Sequence, residues 1–174
     1  MSNIATYERE YVAWQNRAHR FYLGARLLHR NELYAPAAYS AAIAIELLLK
    51  GTLAYWDRSI DPVDAGHGMA KLVRMVKNKA SNSKGLMVPT YFYHEQRYLN
   101  VSRYPMNGKG IAMPPSFVED LDRVFADLVL LVPFQHNTEL KRALAGRNRS
   151  DLTALRQKNQ QMNRLRTALQ VSAR

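Results

Sequence analysis

The chain has 174 residues, of which 47% are apolar and 22% charged, a composition typical of one globular domain and not of a disordered chain. It contains no cysteine, which excludes disulfides, thiolate metal sites and thiol catalysis. No run of 18 apolar residues is present, and the start lacks the basic-then-apolar pattern of a signal peptide, so we expect a cytoplasmic protein with no membrane partner.

The net charge of +11 is unevenly distributed along the chain. Residues 1–134 carry 16 Lys/Arg against 12 Asp/Glu, whereas residues 135–174 carry 9 against 2. A basic excess favours anionic partners, because it attracts them and releases their counterions. The sequence therefore predicts binding to RNA or to an acidic protein, and the alternative is a solvated basic tail that only aids solubility.

Two long helices are predicted in the first third of the chain. Apolar residues recur alternately three and four positions apart, the period of one helix face, at Ile4, Tyr7, Tyr11, Trp14, Ala18, Phe21, Ala25 and Leu28. Residues 35–53 are rich in alanine, with leucine and isoleucine widening the apolar face, which predicts the most buried helix. The short turn between the two makes them antiparallel neighbours.

Two further helices follow after breaks. A stretch containing proline and glycine at 57–68 precedes a short helix over 69–79. Residues 81–89 are expected to form a loop, the aromatic stretch 91–100 helical turns or a strand, and residues 103–115 a long irregular connection. A wide apolar helix then begins near Ser116, with acidic residues in its first turns, and ends at Pro133.

Residues 135–174 differ in kind from the rest of the chain. Their narrow apolar stripe among Gln, Asn and Arg predicts a basic helix that cannot form a second core. Such an extension lies along the bundle, binds a partner, or stays loose without one. The predicted fold class is all-α, with a helical bundle over residues 1–134 and a basic C-terminal helical extension over residues 135–174.

Three short elements together resemble the HEPN family, helical domains named for their occurrence in higher eukaryotes and prokaryotes and for nucleotide binding. The first is a run of small residues followed by Glu-x-x-x-Lys, the second a Gly-His-x-x-x-x-Leu segment, and the third an Arg-Tyr-Pro before the last bundle helix. They occur in the order typical of the family and span roughly residues 17–133, where the helical pattern runs. In this sequence the elements are Glu46-x-x-x-Lys50, Gly66-His67-x-x-x-x-Leu72 and Arg103-Tyr104-Pro105.

The resemblance implies an up-and-down bundle of four or five helices, a homodimer, and a role in RNA metabolism, defence or toxin–antitoxin systems. Many members of the family are metal-independent ribonucleases that use an Arg-x(4–6)-His motif, paired across the dimer cleft. This sequence departs from that motif, because the only histidine after Pro105 is His136 and the nearest preceding arginine, Arg123, lies thirteen positions earlier. No arginine elsewhere precedes a histidine at the family spacing, which predicts a non-catalytic member.

Candidate site residues fall into two groups. Glu46 and Lys50 form either a polar pair facing a cleft or dimer seam, or an ordinary i,i+4 ion pair worth about 0.2–0.5 kcal/mol if exposed. His67 is suited to contact a phosphate or to act as an acid or base, or it caps the third helix or binds a loop carbonyl. Cations alternating with tyrosines suit single-stranded RNA, although tyrosines also fill cores. The nucleic-acid candidates are Arg97, Arg103, Lys109, Arg147 and Arg149.

No metal and no cofactor are expected, because the sequence has no His-x-x-x-His pair, acidic cluster or glycine-rich phosphate loop. The favoured function is that of a non-catalytic RNA- or partner-binding bundle of a prokaryotic defence or toxin–antitoxin type system. One alternative is a metal-independent ribonuclease with a displaced site built from His67, Arg103 and Tyr104. Another, by family analogy, is an adaptor subunit for a nucleotidyltransferase.

Overall fold

The computed structural model describes residues 3–57, 59–94, 98, 113–132, 139–145, 153, 155–156 and 158–168. Within these ranges the chain is helical and contains no strand, which confirms the predicted fold class. The strand alternative for the aromatic stretch is wrong where the structure describes it, because Thr90–Tyr93 forms a 3₁₀ turn. A second 3₁₀ turn, Ser81–Ser83, lies in the predicted loop.

Six α-helices are present in the described part of the chain. The four predicted from periodicity agree with the structure to within about four residues at each end, the usual uncertainty of a helix boundary predicted from sequence. In chain order the helices are α1 Asn3–Arg30, α2 Tyr34–Trp56, α3 Met69–Lys79, α4 Phe117–Val129, α5 Glu139–Leu144 and α6 Met162–Ala168.

A tight turn makes α1 and α2 antiparallel neighbours, as predicted. Glu32 adopts a left-handed φ of 61°, and the amide of Leu33 donates to the carbonyl of Leu28 at 2.9 Å, which closes the C-terminus of α1. The two helices then approach closely. A Cβ atom at Gly51 of α2 would lie 3.3 Å from the Cβ of Trp14 and from the Cγ of Gln15, so the glycine permits this approach.

The central position of α2 explains its composition. Its alanines at positions 37, 38, 41, 42 and 44 are fully buried, and small side chains let α1, α3 and α4 pack around it. By length and composition α2 also qualifies as a membrane-crossing helix, yet 78% of its apolar window is buried inside the fold. A buried core helix of a globular domain also meets these criteria of length and apolar composition.

The buried face of α1 agrees with most of the predicted stripe, since Tyr11, Ala18 and Ala25 are buried. Phe21, expected on the apolar stripe, is 38% exposed. The inward face also carries polar side chains that are at least 96% buried, among them His19 and Arg26. Periodicity predicted the helix and most of its buried face. It did not predict the exposure of Phe21 or the burial of polar side chains, because it ranks only apolar residues inward.

The described part of the C-terminal extension lies along the bundle, one of the three arrangements considered from the sequence. Helix α5 packs on α1, and α6 packs on α4. Four leucines of the extension are at least 97% buried in the same hydrophobic core as residues of the bundle. They are Leu140, Leu144, Leu155 and Leu165. The division of the chain at residue 134 stays a prediction.

Candidate functional site

A cluster of three polar side chains joins α2 to the loop before α3. Glu46 and Lys50 lie on α2 and are 4% and 2% exposed, and the Lys50 Nζ lies 3.0 Å from the Glu46 Oε1. The His67 Nδ1 lies 2.9 Å from the same oxygen, while its side chain is 76% exposed. The Lys50 Nζ also lies 5.5 Å from the ring centroid of Trp14, within the range of a cation–π contact. The three residues singled out from the sequence therefore form one site.

The loop before α3 is folded so that it places His67 against Glu46. The Asp61 carboxylate accepts a hydrogen bond from the amide of Val63 at 2.7 Å, and Gly66 adopts a φ of +77°, a left-handed conformation that suits glycine. His67 does not cap α3, because the N-terminus of α3 has no side-chain cap. The ring is bound to a carboxylate, not to a loop carbonyl.

The geometry has a defined chemical consequence. A carboxylate that accepts a hydrogen bond from Nδ1 fixes the ring orientation and the tautomer of a neutral histidine, so that Nε2 is the nitrogen available to a ligand. When protonated, the same ring presents a cation suited to a phosphate oxygen. Because Lys50 shares the Glu46 Oε1, the negative charge of Glu46 is divided between two donors.

A basic surface follows His67 along α3. The buried side of this helix is formed by apolar residues, while Lys71, Arg74 and Lys77 are exposed and lie three positions apart. On an α-helix this spacing places successive cations on one side, about 4.5 Å apart along the axis. We refer to His67, Lys71, Arg74 and Lys77 as the α3 basic face.

A feature of the sequence predicts the α3 basic face, although the net charge of residues 1–134 does not reveal it. Residues 65–94 contain five Lys/Arg and no Asp/Glu. The 12 acidic residues elsewhere in residues 1–134 offset the surplus, so that this part of the chain showed only a small net charge. A search for runs free of acidic residues would have found the α3 basic face.

A second polar network is buried between α1, α4 and the extension. The Asp122 carboxylate pairs with the Arg26 guanidinium and accepts a hydrogen bond from the Tyr22 hydroxyl at 2.8 Å. The Asn159 amide in turn donates to the Tyr22 hydroxyl at 3.0 Å. Burial raises the pKa of Asp122 to about 6, against the opposing effect of Arg26, and it raises the pKa of Tyr22 well above its usual value. These are structural contacts, and the tyrosine ring is stacked on Phe125.

A cavity of about 300 Å³ lies between the end of α1 and the starts of α2 and α4. Its exposed cations, Arg30 and Lys158, are matched by two acidic residues, Glu32 and Glu119. Burial and the nearby Arg26 guanidinium lower the pKa of His29, which also lines the cavity. The cavity therefore offers a polyanion no net attraction comparable to that of the α3 basic face.

The remaining predicted site residues lie outside the residues that the structure describes. They are Arg97, Arg103, Tyr104, Lys109, Arg147 and Arg149. Across the described ranges, no group of three or more His, Cys, Asp or Glu side chains is arranged to hold a metal ion.

The fold and the site define an all-helical domain whose core helix carries a Glu–Lys pair bound to a histidine of the next loop. Comparison with known families matches residues 11–112 to the HEPN domain, more than half of the chain. The chain belongs to the HEPN family and is thus a helical domain of the nucleotide-binding and ribonuclease type, which confirms the recognition made from the sequence. No curated protein and no solved structure matches it significantly.

Proposed function

We propose that this chain is a cytoplasmic, non-catalytic HEPN domain that binds RNA through the α3 basic face. The observation that carries the proposal is the set of exposed cations on one side of α3, within 30 residues that contain no acidic side chain. The family resemblance supports two further parts of the proposal, namely a homodimeric state and a role in a prokaryotic defence or toxin–antitoxin type system.

The physical basis is the release of counterions from the phosphate backbone. Each phosphate that a lysine or arginine neutralises on a single strand contributes about −0.7 to the slope of log K against log salt concentration. Three contacts, from Lys71, Arg74 and Lys77, therefore contribute a slope of about −2. His67 adds a further contact when its ring is protonated, because Glu46 holds the ring at the start of the same face.

The experiment measures the affinity for a single-stranded RNA of mixed sequence between 50 and 300 mM salt. We expect the triple variant Lys71→Gln/Arg74→Gln/Lys77→Gln to bind at least tenfold more weakly at low salt, with a slope shallower by about 2.

The matched control removes three charges elsewhere, in the variant Arg30→Gln/Arg156→Gln/Lys158→Gln, whose residues are also exposed. It changes the net charge equally and also neutralises the exposed cations of the cavity. Equal losses in the two triple variants, or no binding by the wild type at 50 mM salt, would refute the proposal.

A ribonuclease is the second candidate, favoured by the contact between Glu46 and His67. A carboxylate that orients a histidine while leaving Nε2 accessible is the arrangement of a general base. The test incubates labelled RNA with the protein in the presence of a chelator. Cleavage that His67→Ala abolishes and Glu46→Gln reduces would establish this candidate and overturn the non-catalytic assignment. Intact RNA, or cleavage unaffected by His67→Ala, would remove it.

A further inference from the structure

The indole ring of Trp14 lies beside the polar cluster of Glu46, Lys50 and His67. The Cβ of Trp14 packs against α2 at Gly51, where only a glycine leaves room for it. The Lys50 Nζ lies over one face of the ring, 5.5 Å from its centroid. Trp14 nevertheless stays partly exposed, so a ligand at the cluster can also contact the indole.

The distances across the cluster place Trp14 and His67 within reach of one nucleotide. The Lys50 Nζ and the His67 Nδ1 lie 3.0 Å and 2.9 Å from the same Glu46 Oε1. Because these contacts are consecutive, the Trp14 ring centre is no more than about 11 Å from the His67 Nδ1. A base stacks on an aromatic ring with centroids about 4.5–7 Å apart, and a phosphate oxygen accepts a hydrogen bond over about 3 Å. The sugar and phosphate of one nucleotide span the remaining distance.

An unpaired base of a nucleic acid has the chemistry that matches both side chains. Its flat ring stacks on an indole, and its phosphate meets the side chain of His67, which is 76% exposed. An acidic peptide supplies the negative charge without the flat ring. Duplex RNA keeps its bases paired and stacked within the double helix, so they do not reach a side chain that binds by stacking.

We propose that Trp14 stacks on an unpaired base of the RNA whose phosphates follow the α3 basic face. The proposal rests on the proposed function and adds to it a preference for single strands. His67 contacts the cluster beside Trp14 and also begins the α3 basic face, so it holds the phosphate next to the stacked base. The cations of α3 recognise charge alone, whereas Trp14 distinguishes a single strand from a duplex.

The first experiment uses the fluorescence of Trp14 itself. The chain has two tryptophans, so Trp56→Phe leaves Trp14 as the only one. This variant of the full chain is titrated at 50 mM salt with a single-stranded RNA, with an abasic strand of equal length and charge, and with a duplex of the same sequence. We expect only the single-stranded RNA to quench the fluorescence. The abasic strand should bind at least about fivefold more weakly, the lower limit for the loss of one stacked base.

The second experiment replaces the ring. Trp14→Leu should bind single-stranded RNA at least about fivefold more weakly, with an unchanged salt slope, because no phosphate contact is lost. Trp14→Phe keeps an aromatic ring and should retain most of the affinity, which a role in packing alone does not explain if both variants melt at similar temperatures. Trp56→Leu is the matched control, since Trp56 is 39% exposed and its indole nitrogen donates to the carbonyl of Leu131. It should leave the affinity unchanged.

The outcomes separate base stacking from the binding of phosphates. Bound RNA without quenching, or quenching by the abasic strand or the duplex, would overturn stacking on Trp14 and leave the α3 basic face intact. Equal losses in Trp14→Leu and Trp56→Leu would do the same. A wild type that binds none of the three nucleic acids would overturn the proposed function together with the stacking.

Discussion

Replacing His19 with leucine should protect the fold in mild acid. His19 lies on the buried face of α1 and is 1% exposed, with its ring edge-on to Phe125 at a centroid distance of 5.6 Å. Neither ring nitrogen has a hydrogen-bond partner among the described residues. Burial lowers the pKa of His19 from 6.5 to about 3, because the protonated ring would lose its hydration without gaining a partner.

The sign of the effect follows from which state binds the proton. Below pH 6.5 the unfolded chain protonates His19, whereas the folded chain does so only near pH 3. The unfolded state therefore binds more protons, and stability falls as the pH falls through this interval. With these two pKa values, the loss between pH 7.5 and pH 5 is about 2 kcal/mol. A leucine at this position does not titrate and removes the loss.

The protonation of Asp122 changes the stability with pH in the opposite direction over part of the same pH interval. Burial raises its pKa from 3.8 to about 6, so its contribution to stability is fully present below pH 3.8 and is lost as the pH rises through 6. This contribution is common to the wild type and to His19→Leu. It therefore cancels when the pH dependence of one protein is subtracted from that of the other.

The assay is urea unfolding of the wild type and of His19→Leu at pH 7.5 and at pH 5. Leucine should reduce the pH-dependent loss in free energy of unfolding by about 2 kcal/mol. His94→Gln, at an exposed histidine, is the control and should leave the loss unchanged. An identical pH dependence in the wild type and in His19→Leu would refute the assignment of a buried, neutral and unpartnered His19.

Three further predictions concern the buried contacts. Arg26→Met leaves the Asp122 carboxylate buried without its cation. The free energy of unfolding should therefore fall by about 3–5 kcal/mol at pH 8, and by less at pH 5, where Asp122 protonates. An equal loss at both pH values contradicts this prediction. Asn159→Ala removes a donor to the Tyr22 hydroxyl and should cost about 1 kcal/mol in urea unfolding, with faster amide exchange in the extension; unchanged exchange counts against the contact. Leu165→Ala should cost about 2–5 kcal/mol, and a loss below about 0.5 kcal/mol would show that the extension does not share the core.

The helices could be predicted from the sequence because their signals are local. Helix α2 has an alanine-rich apolar pattern, and the glycines and proline before α3 mark the break between α2 and α3. The polar part of the buried face of α1 could not be predicted in the same way. Its buried face includes Tyr22 and Arg26, whose partner Asp122 lies 100 and 96 positions away in the chain. Periodicity holds no information about such pairs, so the predicted apolar stripe did not include these two positions.

The residues of the candidate site could be predicted from the sequence, but the contact between Glu46 and His67 could not. Family resemblance pointed to the Glu46–Lys50 pair and to His67 as two elements. The contact between them depends on the loop before α3, which brings His67 to a residue 21 positions earlier in the chain. The left-handed conformation of Gly66 in that loop is a property of the fold. The α3 basic face was missed for a different reason, since its cations were summed with acidic residues that are distant from α3 in the sequence.

The way in which Glu46 is shared argues for binding over catalysis. A general base gains strength when a carboxylate stabilises the protonated histidine, as in carboxylate–histidine pairs of hydrolases. Here one oxygen of Glu46 serves both His67 and the buried Lys50, whose positive charge opposes that stabilisation. The carboxylate therefore serves to orient the His67 ring. An oriented, exposed ring at the start of a row of lysine and arginine side chains is suited to hold a phosphate.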